Sequence, residues 1–225
     1  MKFLHAWFLI CFAWVAALQG ASKSLYEKGG GFAPDERVLY KKAFGKKEKL
    51  AEELHLEFFY PDGFAKTDSR PSIVFFFGGG WTGGDPSQFY AQAKYLASRG
   101  MLAICAQYRR ALKTAKPVWC VEDARSGVRY LRKHASALGL DPKRIAAGGG
   151  SAGGHLAAAT ATISAFDWPD DDLTVSAVPN ALVLFNPVFD NSPKGYGHDR
   201  LGDDYKRFSP IENLDGKQPP TIVFL

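Results

Sequence analysis

An α/β fold, with a mostly parallel central sheet and helices on both faces, is what this sequence predicts, and three observations carry the prediction. Short continuous apolar runs recur along the chain, as strands buried on both faces require. Stretches with apolar residues at helical spacing separate those runs. Glycine clusters stand where a run gives way to a helical stretch, which is where a strand must turn sharply into a helix.

The elements follow in order. Residues 1–21 hold one early lysine, an apolar run from Phe3 to Leu18 and then small residues, the layout of a secretory signal peptide cleaved near Gly20 or Ala21. The alternative is an uncleaved anchor, for which the run is barely long enough. With the signal removed, no membrane span is expected, and the protein is expected to be secreted or periplasmic. Residues 22–49 read as a polar N-terminal segment, and residues 50–225 as one domain. "LHLEFFYP" (Leu54–Pro61) is an early strand. "SIVFFF" (Ser72–Phe77) is a buried strand ending at three glycines, and a helix over Gln88–Arg99 stops at Gly100. "MLAICAQYR" (Met101–Arg109) is the next strand. Val121, Ala124, Val128, Leu131 and Ala135 then mark a helix closed by Gly139. "RIAAGGG" is a strand, Ser151–Ala165 a helix, Ala181–Pro187 a strand, and "TIVFL" (Thr221–Leu225) begins one more.

Composition narrows the class. Over 225 residues, 46% hydrophobic content and 14% aromatic content suit one folded domain rather than a disordered chain. The net charge of +5 is modest. The basic cluster Lys41–Lys49 lacks any motif around it, so a solvated face is expected rather than a nucleic-acid site. Past the signal, Cys105 and Cys120 show neither CxxC nor Cys/His spacing, so no metal site is implied and their redox state stays open.

The informative stretch is "RIAAGGGSAGGHLAAAT", Arg144–Thr160. Gly148-x-Gly150-x-x-Gly153 spells a dinucleotide-binding turn, while Gly149-x-Ser151-x-Gly153 spells a nucleophile elbow. The first needs an acidic residue at the end of the next strand, about twenty residues on. Asp167 and Asp170–Asp172 lie near that distance, but in a polar loop containing proline. The second needs backbone N–H groups from an earlier strand-to-helix loop to receive an oxyanion, and "FFFGGGWTGGD" (Phe75–Asp85) supplies one. The elbow reading therefore prevails.

Together, "FFFGGGW", "YRR", "DPKRIAAGGGSAGGHLAA" and "PPTIVFL" resemble the α/β-hydrolase superfamily on its esterase and lipase side. The likeness is greatest to hormone-sensitive-lipase-like and acetyl- or feruloyl-esterase-like proteins secreted by bacteria. It runs from about Leu54 to the last residue. The resemblance implies a serine carboxylic-ester hydrolase working through an acyl-enzyme on small acyl esters, including those of polysaccharides, with no cofactor. Ser151 would be the nucleophile. The amides of Gly78, Gly79, Gly80 and Ala152 would form the oxyanion hole, and Trp81 would line the substrate pocket. One departure is Phe77, which stands where the family usually has a histidine before the glycines; it bears on loop support.

A serine of this kind needs a histidine base oriented by a carboxylate, in the chain order serine, acid, histidine. His55 and His134 precede Ser151, and His155 lies one helical turn after it, where packing beneath the elbow is expected. Asp190 with His198 is the ordered pair available, but His198 precedes the strand at Thr221, whereas the family's base lies beyond the last strand. The chain stops inside the apolar run "PPTIVFL". The acid and base are therefore expected beyond residue 225, in a domain whose final strand and helix are missing here. The readings left beside the esterase are a non-catalytic hydrolase-like binding protein and a serine peptidase on the same fold.

Overall fold

The computed structural model describes residues 31–44, 51–111 and 116–225. The signal-peptide expectation for residues 1–21 lies outside them. Seven strands form one sheet in the order β1-β2-β4-β3-β5-β6-β7. They span Glu36–Phe44 (β1), Ala51–Phe59 (β2), Arg70–Phe76 (β3), Leu102–Ala106 (β4), Leu140–Gly150 (β5), Ala181–Phe185 (β6) and Thr221–Phe224 (β7). β1 pairs with β2, and β2 with β4, in antiparallel fashion, while the four pairings from β4 to β7 are parallel.

The helices are α1 (Tyr90–Ser98), entered through a 3-10 turn at Pro86–Phe89, α2 (Val118–Lys133) and α3 (Ala152–Thr162), followed by the short α4 (His198–Leu201) and α5 (Tyr205–Phe208). Among the described residues no helix is long and apolar enough to cross a membrane.

β3 and β4 are covered on both sides, and this is why they read as continuous apolar runs. Val74, Phe76, Leu102 and Ile104 join the larger core beneath α2 and α3, whereas Ile73, Phe75, Ala103 and Cys105 join a smaller core with Phe89, Ala93 and Ala97. Cys105 and Cys120 are free and buried, one in each core. Burial pushes both thiols well above their ordinary pKa, because the thiolate would be desolvated.

The polar N-terminal segment assigned to residues 22–49 proves to contain strand β1. Its sequence, ERVLYKKAF, mixes signs because β1 is an edge strand. Its Lys41 is nevertheless buried, with Nζ 2.7 Å from Asp123 Oδ1, and Asp123 also accepts from the Arg109 backbone and guanidinium. That interlock ties the sheet edge to α2. At the opposite edge, β7 exposes Ile222, Val223 and Phe224. An apolar groove of about 640 Å³ opens between α1 and β7, floored by Ile73, Phe75, Val183 and Phe185.

Candidate active site

Strand β5 delivers the chain to Ser151, and α3 leaves from it. Ser151 has φ +53° and ψ −120°, the left-handed region that L-residues enter at a cost, held here by its surroundings. Its N–H donates to the Phe185 carbonyl at 3.0 Å, and its own carbonyl accepts from His155 and Val188. The side chain is exposed, whereas residues 152–160 behind it are buried.

The flanking glycines are required by space. A Cβ on Gly153 would lie 2.0 Å from the Phe76 carbonyl oxygen, and one on Gly149 would lie 2.4 Å from the Gly153 oxygen. Close approach of β3, β5 and the first turn of α3 thus admits only glycine. Gly148, which completed the dinucleotide spelling, sits inside β5 against the Phe75 ring and the Val183 oxygen, where it serves packing.

The loop after β3 lies beside the elbow: a Cβ on Gly78 would stand 3.4 Å from Ser151 Cβ and 2.8 Å from the Gly150 oxygen. Gly79 (φ +126°), Gly80 (φ +58°) and Trp81 (φ +61°) follow in left-handed conformations. The structure corrects one member of the expected oxyanion hole. The Gly78 N–H donates to Gln88 Oε1 at 2.7 Å and so is spoken for. The Gly79 and Gly80 N–H groups have no protein acceptor among the described residues. Ala152, first residue of α3, has no carbonyl one turn back within its helix to receive its N–H. These three amides are the set that can meet an oxyanion.

Trp81 also requires correction. It is fully buried, packed edge-on against His155 at 5.1 Å and Phe208 at 5.5 Å, so its ring belongs to the core and does not line a pocket. His155 is buried with it, its Nε2–H donating to the Phe208 carbonyl at 2.9 Å, and burial lowers its pKa to about 4. It is therefore neutral at ordinary pH, and its ring is fixed beneath the elbow. At Phe77, where a histidine was the family's usual residue, the ring stacks on Tyr108 at 4.0 Å and Tyr108 Oη donates to the Phe77 carbonyl at 2.7 Å. The loop is thus supported by a ring pair and one hydrogen bond. Gln88 and Tyr108 are supports that sequence reasoning missed; Tyr108 carried a signal in the "YRR" after β4, and Gln88 carried none.

Asp190 and His198 are not brought together as an acid–base pair. Asp190 accepts from the Ser192 N–H and hydroxyl, while His198 Nδ1 faces the Asn191 carbonyl at 3.1 Å and its ring meets Tyr205 edge-on. Chain order put them in sequence, but a local turn at Asp190–Ser192 consumes the carboxylate. Among the described residues no cluster of His, Cys, Asp or Glu could hold a metal ion.

Residues 56–190 match the BD-FAE family. Carboxylesterase NlhH of Mycobacterium tuberculosis is 32% identical over 99 residues, which is 43% of this chain and 30% of that protein. Carboxylic ester hydrolase LipN of the same organism is 36% identical over 110 residues, covering 48% and 28%. The matches thus span about 30% of the length of these curated relatives. Among solved structures, Thermogutta terrifontis esterase 2 phosphoramylated by tabun superposes with a TM-score of 0.77 at 42% identity, over 84% of this chain and 70% of that one. The propionate-bound form of the same esterase gives 0.73 at 41%, with the same coverage.

Proposed function

Because the chain belongs to the BD-FAE family, and with it to the α/β-hydrolase esterases, we propose that it hydrolyses small carboxylic esters through an acyl-enzyme on Ser151. The observation that carries the reading is the exposed Ser151 at positive φ, beside the unengaged amides of Gly79 and Gly80. In the reaction, Ser151 Oγ bonds to the ester carbonyl carbon and gives its proton to a histidine base. The carbonyl electron pair moves onto oxygen, where the Gly79, Gly80 and Ala152 N–H groups receive the charge. Collapse breaks the bond to the alcohol, which leaves with that proton, and water then releases the acid from Ser151. One such donor is worth about 3 kcal/mol of transition-state stabilisation.

The reading takes the base and its carboxylate from outside the described residues. His155 is neutral and fixed, and Asp190 and His198 are engaged elsewhere. The propionate-bound and butyrate-bound forms of esterase 2 support short acyl groups. The signal-like residues 1–21 support an exported enzyme acting on acetyl or feruloyl esters of polysaccharides.

The test is p-nitrophenyl acetate hydrolysis together with fluorophosphonate labelling of the full-length protein. Labelling should fall on Ser151, and Ser151→Ala should lower kcat by a factor on the order of 10⁴–10⁶. Absence of label at Ser151 removes the proposal. Turnover of p-nitroanilides in preference to esters would make the protein a peptidase instead.

A further inference from the structure

The loop that would receive the oxyanion is built from residues that hold no single conformation by themselves. Gly79 and Gly80 have glycine's freedom, and Trp81 occupies the left-handed region against its own preference. A peptide N–H points opposite to the carbonyl of the same plane, so whatever holds a carbonyl aims the next amide. The Gly79 carbonyl accepts from the Thr82 and Gly83 N–H groups, each at 3.0 Å, which aims the Gly80 N–H. The plane on the other side of Gly80 is held from far along the chain: Arg200 Nη1 donates to the Gly80 carbonyl at 2.9 Å.

Arg200 belongs to a segment shaped around this loop. Its guanidinium lies 5.8 Å from the Trp81 ring. The Tyr196 ring tilts on Trp81 at 5.7 Å, and a Cβ on Gly80 would come within 2.8 Å of Tyr196 Oη. Gly197, at φ +77°, lets the chain pass where a Cβ would stand 3.1 Å from the Trp81 ring. Asn191 closes the segment on itself, its Nδ2 donating to the Tyr196 carbonyl at 2.7 Å and its carbonyl facing His198 Nδ1. His198 thus acts as a brace of this clamp.

We propose that Arg200 is a positioning residue for the oxyanion hole: by holding the Gly80 carbonyl it fixes the Gly80–Trp81 peptide plane, and with the Gly79–Gly80 plane held by Thr82 and Gly83 it leaves Gly80 no freedom to swing its N–H. A charge-assisted hydrogen bond is suited to this, being roughly twice as strong as a neutral one. The proposal rests on the ester-hydrolase reading, and its test separates the two. In the full-length protein, Arg200→Met should lower kcat for p-nitrophenyl acetate roughly tenfold to a hundredfold, with KM within about twofold. Affinity for an alkyl boronic acid, whose adduct with serine is tetrahedral, should fall by a similar factor, and Arg200→Lys should restore part of both. Hydrogen–deuterium exchange of the peptide containing residues 78–83 should quicken in Arg200→Met, while that of the peptide over residues 149–156 stays unchanged. If wild type neither turns over nor labels, the function reading fails, and the exchange result alone decides whether Arg200 holds the loop. Unchanged kcat in an active protein, or unchanged exchange in residues 78–83, overturns the proposal. So does a loss of kcat matched by a rise in KM and faster exchange throughout. Should Arg200→Met fail to fold, Arg200→Lys carries the same measurements, with a fall of about fivefold expected.

Discussion

At the elbow, Gly149 and Gly153 sit where an added methyl would collide with backbone oxygen atoms, at 2.4 and 2.0 Å. In the neighbouring loop, Gly80 has backbone on neither side of its missing side chain; its near neighbour there is the end of the Tyr196 side chain. Beyond its own Thr82 and Gly83 turn, what stabilises that loop is a set of bonds from Gln88, Tyr108 and Arg200, each from a different part of the chain. Close packing therefore stiffens the nucleophile's turn and reaches Gly78, Gly79 and Gly84 of its neighbour, where an added Cβ would meet backbone oxygen at 2.8, 2.5 and 2.2 Å, but at Gly80 directed polar contacts take over. A steric lock resists change wholesale, whereas a lock of separate bonds can be loosened one bond at a time.

Four substitutions put that contrast under strain. Gly153→Ala should act most strongly. Replacing a helical glycine by alanine ordinarily favours a helix by about 1 kcal/mol, but here the collision with the Phe76 oxygen reverses the sign. A loss above about 4 kcal/mol is expected, seen as little folded protein or a collapsed urea midpoint. If Gly153→Ala folds normally, the steric account of the elbow is wrong.

Next comes His155, which packs beneath both turns. Its folded pKa of about 4 lies below the ordinary 6.5, so the unfolded chain takes up a proton that the folded one refuses. This stabilisation is therefore fully present above about pH 6.5 and is lost as the pH falls toward 4, by about 3 kcal/mol in all. Urea midpoints at pH 7 and pH 4.5 should differ more in wild type than in His155→Asn, and equal differences would count against a buried neutral imidazole.

Gln88→Leu removes the acceptor of the Gly78 N–H. It should cost about 1–3 kcal/mol of stability in a urea titration and lower kcat for p-nitrophenyl acetate, with KM within about twofold. A variant with unaltered kcat would show that the loop does not depend on that bond. Smallest is Gly63→Ala, a turn glycine at φ +69° with nothing within 4 Å of its added Cβ. Only the backbone preference is at stake there, so about 1 kcal/mol should be lost in a urea titration, with esterase activity intact.

The same contrast explains what was legible in the sequence. The elbow could be read from Gly149, Ser151 and Gly153 because a steric requirement is written at the residues that bear it. β3 and β4 could be read because burial on both faces leaves a continuous apolar run, and α2 because burial on one face leaves a helical period. β1 escaped because an edge strand carrying Lys41 and Lys42 has the composition of a polar segment. Gln88 and Arg200 left no local mark, since their partners lie 10 and 120 residues away. Trp81 misled: an aromatic after three glycines suggests a pocket wall, but its burial against His155 and Phe208, residues 74 and 127 positions on, turns the ring inward. Asp190 and His198 satisfied an ordering rule, but order along a chain does not measure distance, and Ser192 claims the carboxylate first.

The two buried thiols provide a clock for each side of the sheet. Cys105 lies under α1 in the smaller core, while Cys120 lies in the larger core on the other face, and neither thiol is ionised where it sits. An alkylating reagent can reach each only when its own layer opens, so mass-resolved modification of the two peptides reports two opening rates within one molecule. With the groove beside α1 already admitting solvent to that face, Cys105 should react first.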